Sequence, residues 1–129
     1  MIEFHLDGRS GVATYVQIVQ QVKEAIRLGV IEVGDQLPTV REVVAELAIN
    51  PNTVAKAYRE LEREGLVLAR QGRGTFVAGT LGTQSLEHHE ALRCDLERWL
   101  RDAERAGLDE ESIRALISST LREALRRVA

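Results

Sequence analysis

Apolar positions recur along the chain with two different periods. Tyr15, Ile18, Val19, Val22 and Ile26 fall at i, i+3, i+4, i+7 and i+11, the spacing of one helical face. A first helix is therefore predicted from near Ala13 or Thr14, with Gly29 to end it. After the connector VGDQLP, Thr39 and Glu42 form a T-x-x-E capping box, and Val40, Val43, Val44 and Leu47 keep the helical spacing. That second helix runs out by Ala48, because Asn50 precedes Pro51 and is driven from helical backbone angles. Asn50 and Pro51 then suit the cap and first position of a third helix, which buries Val54, Ala57, Tyr58 and Leu61 and stops near Gly65. A turn of about three residues, Ala48 to Asn50, joins the second and third helices, which is the spacing of a helix-turn-helix.

From Leu66 the period shortens. Two β-prone runs, Val67 to Gln71 and Thr75 to Ala78, flank Gly72-Arg73-Gly74 and predict a hairpin, with Gln36-Leu37 as a third strand. Helix, short strand, helix, helix, hairpin is the order of a winged helix. Gly79 to Gln84 has no periodicity and is expected to be a linker. Beyond it two more helices are predicted, Ser85 to Arg105 with Leu92, Leu96, Trp99, Leu100 and Ala103 inward, and Glu110 to Val128 capped by Asp109. The last carries a seam of Ile113, Leu116, Ile117, Leu121, Ala124, Leu125 and Val128. The expected architecture is mainly α with a small β-wing: a winged helix-turn-helix DNA-binding domain over 1–80 and a two-helix dimerisation hairpin over 81–129.

The polar side of the third helix carries the candidate chemistry. At about 100° per residue, Asn52, Lys56, Arg59 and Arg63 lie within about 30° of the direction opposite the buried stripe, and Glu60, Glu62 and Glu64 lie on its flanks. Amide and cationic side chains near a helix N-terminus suit base edges and phosphates in a major groove. The free amides and positive dipole end there favour a phosphate, next to Asn50 and Thr53. A solvated face would instead use Lys56 with Glu60 and Arg59 with Glu62 as ion pairs. The helix-turn-helix context favours DNA recognition, with Arg63 and Arg59 the members most open to a role as plain surface charge. Arg41, near the start of the second helix, reaches DNA or else partners Glu42 or Glu46. Arg73, at the hairpin tip, enters a minor groove, meets a phosphate, or keeps the loop soluble.

Composition changes this picture little. Of 129 residues, 44% are hydrophobic and 29% charged, an ordinary globular balance. The net charge of −3 excludes a strongly cationic clamp but not a local basic patch. One cysteine excludes an intrachain disulfide, no signal-peptide pattern opens the chain, and no apolar run spans a membrane, so the cytoplasm is the expected compartment. No catalytic constellation is present, no cofactor is implied, and a GRG loop between two strands is not a nucleotide loop. His88, His89 and Cys94 lack the i, i+4 spacing of helical metal ligands, so no metal is expected; the histidines are read as surface groups and the cysteine as a small packed one.

The run GDQLPTVREVVAELAINPNTVAKAYRELEREGLVLARQGRGTFVA resembles the winged-helix domain of GntR-type transcriptional regulators, and NPNTVAKAYRELE is similar to the YtrA-like subfamily in particular. The resemblance covers about residues 11 to 79. It implies a homodimeric transcriptional regulator, most simply a repressor of a nearby transporter-type operon, on double-stranded DNA with an inverted-repeat operator. Carried over position by position, the DNA contacts are Thr39, Arg41, Asn50, Asn52, Thr53, Lys56 and Arg73 with its flanking Gly72 and Gly74; Arg59 joins them from its place on the outward line. Thr39 stands where Ser is usual, VREVV replaces the common VRELA, and VATYVQI lacks the proline often found before the Tyr. Larger relatives carry a ligand-binding domain for which this chain has no room, so the identity of any small-molecule effector is unknown. A signal must come through the dimer interface, a small crevice or a partner. The seam of Leu92, Leu96, Trp99, Leu100, Ile113, Leu116, Ile117, Leu121 and Leu125 is expected to form the interface, because two helices cannot hide both apolar stripes alone. The competing reading is a winged-helix adaptor that binds protein rather than DNA.

Overall fold

A computed structural model describes residues 2–82 and 86–128. The chain divides into two compact units, Met1–Leu86 and Glu87–Ala129.

In the first unit, α1 (Thr14–Arg27) presents Ile18, Val19, Val22, Ala25 and Ile26 to the core. A strap of chain lies against it with Ile2 and Phe4 buried and Leu6 packed on the same core, an alternation of period two. Side-chain amides of α1 take the place of a neighbouring strand. Gln21 accepts from the His5 amide at 2.9 Å and donates to its carbonyl, while Gln17 accepts from the Asp7 amide at 2.8 Å and donates to the Asp7 and Val12 carbonyls at 2.9 Å each. Those bonds explain a buried glutamine: its polar atoms satisfy backbone groups that would otherwise lose water without replacement.

α2 (Val40–Leu47) begins at the expected capping box. Thr39 Oγ1 accepts from the Glu42 amide at 3.1 Å, and the Thr39 amide donates back to the Glu42 carboxylate at 3.2 Å. It ends at Ala48, whose φ of 53° lets its amide reach the Val44 carbonyl at 2.8 Å and turns the chain sharply. α3 (Pro51–Arg63) follows, capped by Asn50, whose side chain accepts from the Asn52 amide at 2.8 Å. Val54, Ala57, Tyr58 and Leu61 are all buried, and α3 packs on both α1 and α2.

Tyr58 closes the helix-turn-helix. Its buried hydroxyl donates to the Pro38 carbonyl at 2.7 Å, tying α3 to the residue before the α2 cap. Burial pushes the phenol pKa well above its ordinary value, and the Glu42 carboxylate adds to the shift, so the hydroxyl stays a donor. Tyr58→Phe is expected to cost about 1–3 kcal/mol, since the Pro38 carbonyl loses its partner where water does not replace it. A denaturant titration should show a lower midpoint with an unchanged slope.

The wing is β1 (Val67–Arg70) antiparallel to β2 (Gly74–Val77), in the register Val67↔Val77, Leu68↔Phe76, Ala69↔Thr75 and Arg70↔Gly74. The third strand expected at Gln36-Leu37 is reduced to a single bridge between Gln36 and Phe76. Gly34, at φ 97°, bends the chain on one side, and Pro38, which has no N–H, stops pairing on the other.

The second unit holds α4 (Leu86–Arg105) and α5 (Glu110–Val128), joined through Gly107 at φ 92°. Asp109 caps α5 by accepting from the Ser112 amide at 2.8 Å, a bond that holds its carboxyl below the usual carboxylate range. Leu92, Leu96 and Trp99 were expected inward, as were Leu116, Ile117, Leu121 and Leu125 on the facing seam, yet all seven are exposed in the single chain. Among the described apolar side chains of this unit, burial is confined to the turn: Ala103 is buried, and Leu100, Leu108 and Ile113 are half-buried. Beyond that turn, among the described residues, α4 and α5 do not pack along their length, and the remaining seam is uncovered in the single chain. Ala124 is exposed as well, and so is Cys94, which is not a packed side chain. The expected helix start at Ser85, the last linker residue Gln84, and the side chains of His88 and Val128 lie outside the described residues.

Candidate nucleic-acid interface

The expected DNA-contacting residues occupy three places in the first unit: the start of α2, the N-terminal half of α3 and the wing tip. The short stretch Gln36 to Thr39 links all three. Gln36 Nε2 donates to the Arg73 carbonyl at the wing tip at 3.1 Å, the Leu37 amide donates to the Thr75 carbonyl at 2.8 Å, the Pro38 carbonyl holds Tyr58 of α3, and Thr39 caps α2. Sequence reading assigned Gln36 to a strand and missed this role.

At the helix starts, two of the candidate side chains already have structural work. Thr39 Oγ1 and Asn50 Oδ1 accept capping bonds, which leaves the Thr39 hydroxyl proton and the Asn50 amide protons to donate outward. Arg41 is exposed and, among the described residues, pairs with neither Glu42 nor Glu46; the Glu42 carboxylate is held in the capping box instead. Asn52, Lys56 and Arg59 are exposed and Thr53 is half-buried.

The carboxylates of α3 are all engaged. Glu60 binds Arg63 through two bonds, which hold its carboxyl below the usual range. Glu62 accepts from the Ala69 amide of β1 at 2.8 Å, and Glu64 pairs with Lys23 of α1 at 2.8 Å. The pairings weighed from sequence, Lys56 with Glu60 and Arg59 with Glu62, are therefore not formed. Lys56 instead places its ammonium 4.0 Å from the centre of the Tyr15 ring, on α1. Arg63 is committed to Glu60, so the exposed outward row without a carboxylate partner among the described residues is Asn52, Lys56 and Arg59. An acidic protein thus presents a helix face whose neighbouring carboxylates are all held elsewhere, Glu60 and Glu64 by cations and Glu62 by a backbone amide.

At the wing tip, Arg73 is exposed between Gly72 at φ 74° and Gly74 at φ 121°. A Cβ at Gly74 would lie 2.5 Å from Gln36 Nε2, so a side chain there would force the Gln36 amide to shift from its place at the turn. Among the described residues no three His, Cys, Asp or Glu side chains gather as metal ligands. No helix among them is long and apolar enough to cross a membrane.

This arrangement has relatives. Residues 14–77 match the pattern of the bacterial regulatory proteins of the gntR family. Over 109 residues the chain is 40% identical to the HTH-type transcriptional repressor YtrA of Bacillus subtilis (strain 168), covering 84% of each protein. The chain belongs to the GntR family. Within that family its likeness is to YtrA-type members, and as a regulatory protein it is not an enzyme. The crystal structure of a transcriptional antiterminator from Listeria monocytogenes EGD-e superimposes with a TM-score of 0.60 at 32% identity, covering 92% of this chain and 90% of that one. The DNA-binding domain of AraR, in complex with operator ORX1, superimposes with a TM-score of 0.53 at 29% identity, over 60% of this GntR-family chain and 96% of that domain.

Proposed function

We propose that this protein is a homodimeric, sequence-specific DNA-binding repressor that acts in the cytoplasm by occupying an inverted-repeat operator, in the manner of a regulator of a nearby transporter-type operon. The first 80 residues bind DNA and residues 81–129 dimerise. The observation that carries the reading is the outward row Asn52, Lys56 and Arg59 on α3, cleared of competing carboxylates by Arg63, Lys23 and the Ala69 amide. Asn52, Thr53 and Lys56 at the N-terminal end read base edges, Arg41 joins them from α2, and Arg59 and Arg73 meet phosphates. Thr39 and Asn50 donate to the DNA backbone while their side-chain oxygens accept the capping bonds of their helices, and Gly72 and Gly74 give the wing its turn. Support also comes from the repressor YtrA and from AraR, which is bound to its operator.

Selection from random duplex DNA is the test. The expected result is enrichment of a two-fold related site; recovery of no preferred duplex would leave the adaptor reading in its place. On the selected duplex, Arg73→Ala should flatten the dependence of log K on log salt by about 1.8, the loss of one phosphate contact, worth about 0.9, from each of the dimer's two wings. An unchanged slope would remove the wing from the interface.

A further inference from the structure

Tyr15 begins the apolar stripe of α1, but it does not end in the core as Ile18, Val19 and Val22 do. It is half-buried, and its ring carries the Lys56 ammonium at 4.0 Å from the ring centre. The two residues come from different helices, α1 and α3, which pack against each other. Lys56 has a carboxylate one helical turn away, Glu60, that would ordinarily attract it; Arg63 occupies that carboxylate. The ring is thus the partner left to the lysine.

Lysine is a compact charge on a flexible stem, and docking it onto a base normally costs much of its rotamer freedom. A cation held over a π face before DNA arrives has part of that freedom already removed. The ring also leaves donors available. An ammonium has three N–H groups, and when it is seated on an aromatic face those not directed at the ring stay open to other acceptors. Guanine presents two acceptors, N7 and O6, on its major-groove edge, whereas adenine presents one acceptor beside a donor. A cation fixed in place discriminates between these edges better than one free to swing toward a phosphate.

We propose that Tyr15 is a positioning residue that holds Lys56 to read guanine, making α1 part of the specificity apparatus. The inference rests on the reading that Lys56 contacts DNA, and a double-mutant cycle separates the two. The probe is the duplex selected from random DNA by the wild-type protein, with each base pair then varied in turn. Tyr15→Phe keeps the π face and is expected to bind within about twofold of wild type. Tyr15→Leu should weaken binding about two- to tenfold per half-site, the cost of ordering one long side chain on docking. It should also level the preference for guanine at one base pair of each half-site. In a Lys56→Ala background, Tyr15→Leu should cost nothing further.

Each other outcome is decisive. If Lys56→Ala alone binds as well as wild type, the DNA-contact reading of Lys56 fails. If Lys56→Ala weakens binding but Tyr15→Leu costs the same in both backgrounds, Tyr15 serves only to pack α1, and the positioning role is wrong while the DNA reading stands. A Tyr15→Phe loss as large as that of Tyr15→Leu assigns the effect to the hydroxyl and overturns the role of the ring. Should Tyr15→Leu fail to fold, proton NMR of the wild-type protein still decides: ring-current shifts of the Lys56 side-chain methylenes are expected, and their absence ends the proposal.

Discussion

Glutamate at both Leu96 and Leu121 is expected to leave the protein folded, turn it into a monomer and lower its affinity for an inverted-repeat operator by about 10²–10⁴-fold. These side chains are 50% and 56% exposed within the chain, so replacing them removes little intrachain packing. Glutamate is also a good helix former, which keeps α4 and α5 helical. What changes is the apolar stripe of each helix, with Leu92 64% exposed on α4 and Leu125 61% exposed on α5. Large aliphatic side chains and Trp99 arrayed along two helices form a patch that a soluble monomer rarely leaves bare, and a second copy brings a face of the same chemistry. Burying a glutamate there without a partner opposes association by several kcal/mol per side. A monomer then binds each half-site separately and loses the effective concentration that tethers its second recognition helix, which sets the size of the drop. Light scattering reads the mass and a mobility-shift titration reads the affinity. A dimer mass for the double variant would place the interface elsewhere; an unchanged affinity in a monomer would break the link between dimerisation and operator binding.

The winged helix was legible because its elements announce themselves locally. Thr39 and Glu42 three residues apart, Asn50 before Pro51, and the four residues Val54, Ala57, Tyr58 and Leu61 on one face carry their own boundaries and orientation. Local patterns say which face is apolar and not what covers it, which is why the expected inward seam of α4 and α5 emerges exposed in the single chain. The strap at Ile2 and Phe4 escaped notice for a different reason: its backbone is paired by the amides of Gln17 and Gln21 rather than by a strand, so no hairpin signal accompanies it. The candidate site was half legible. Its outward row follows from the helical wheel, but the partners that clear it come from afar in sequence, Lys23 for Glu64 and the Ala69 amide for Glu62. The same holds for Tyr15 and Lys56, which no local period connects.

Removing Arg41 and Lys56 together is expected to remove most of the sequence preference while leaving the fold intact. The two side chains sit on different helices, both are exposed, and they share no partner, so their effects should add. A base contact at each would contribute about 1–3 kcal/mol, giving a combined loss of about 2–6 kcal/mol per half-site and about twice that for a dimer on the selected duplex. Arg41 makes no ion pair among the described residues, and Lys56 has only its ring contact, so thermal stability should change by less than about 1 kcal/mol. The informative quantity is the ratio of affinities for the selected duplex and a scrambled one of equal length. Loss of base contacts collapses that ratio, because phosphate contacts from Arg59 and Arg73 serve both duplexes alike. Loss of phosphate contacts alone would weaken both equally, keep the ratio, and flatten the salt dependence. A ratio that survives the double substitution would move base reading off these two residues, with Asn52 and Thr53 at the N-terminal end of α3 the next side chains to replace.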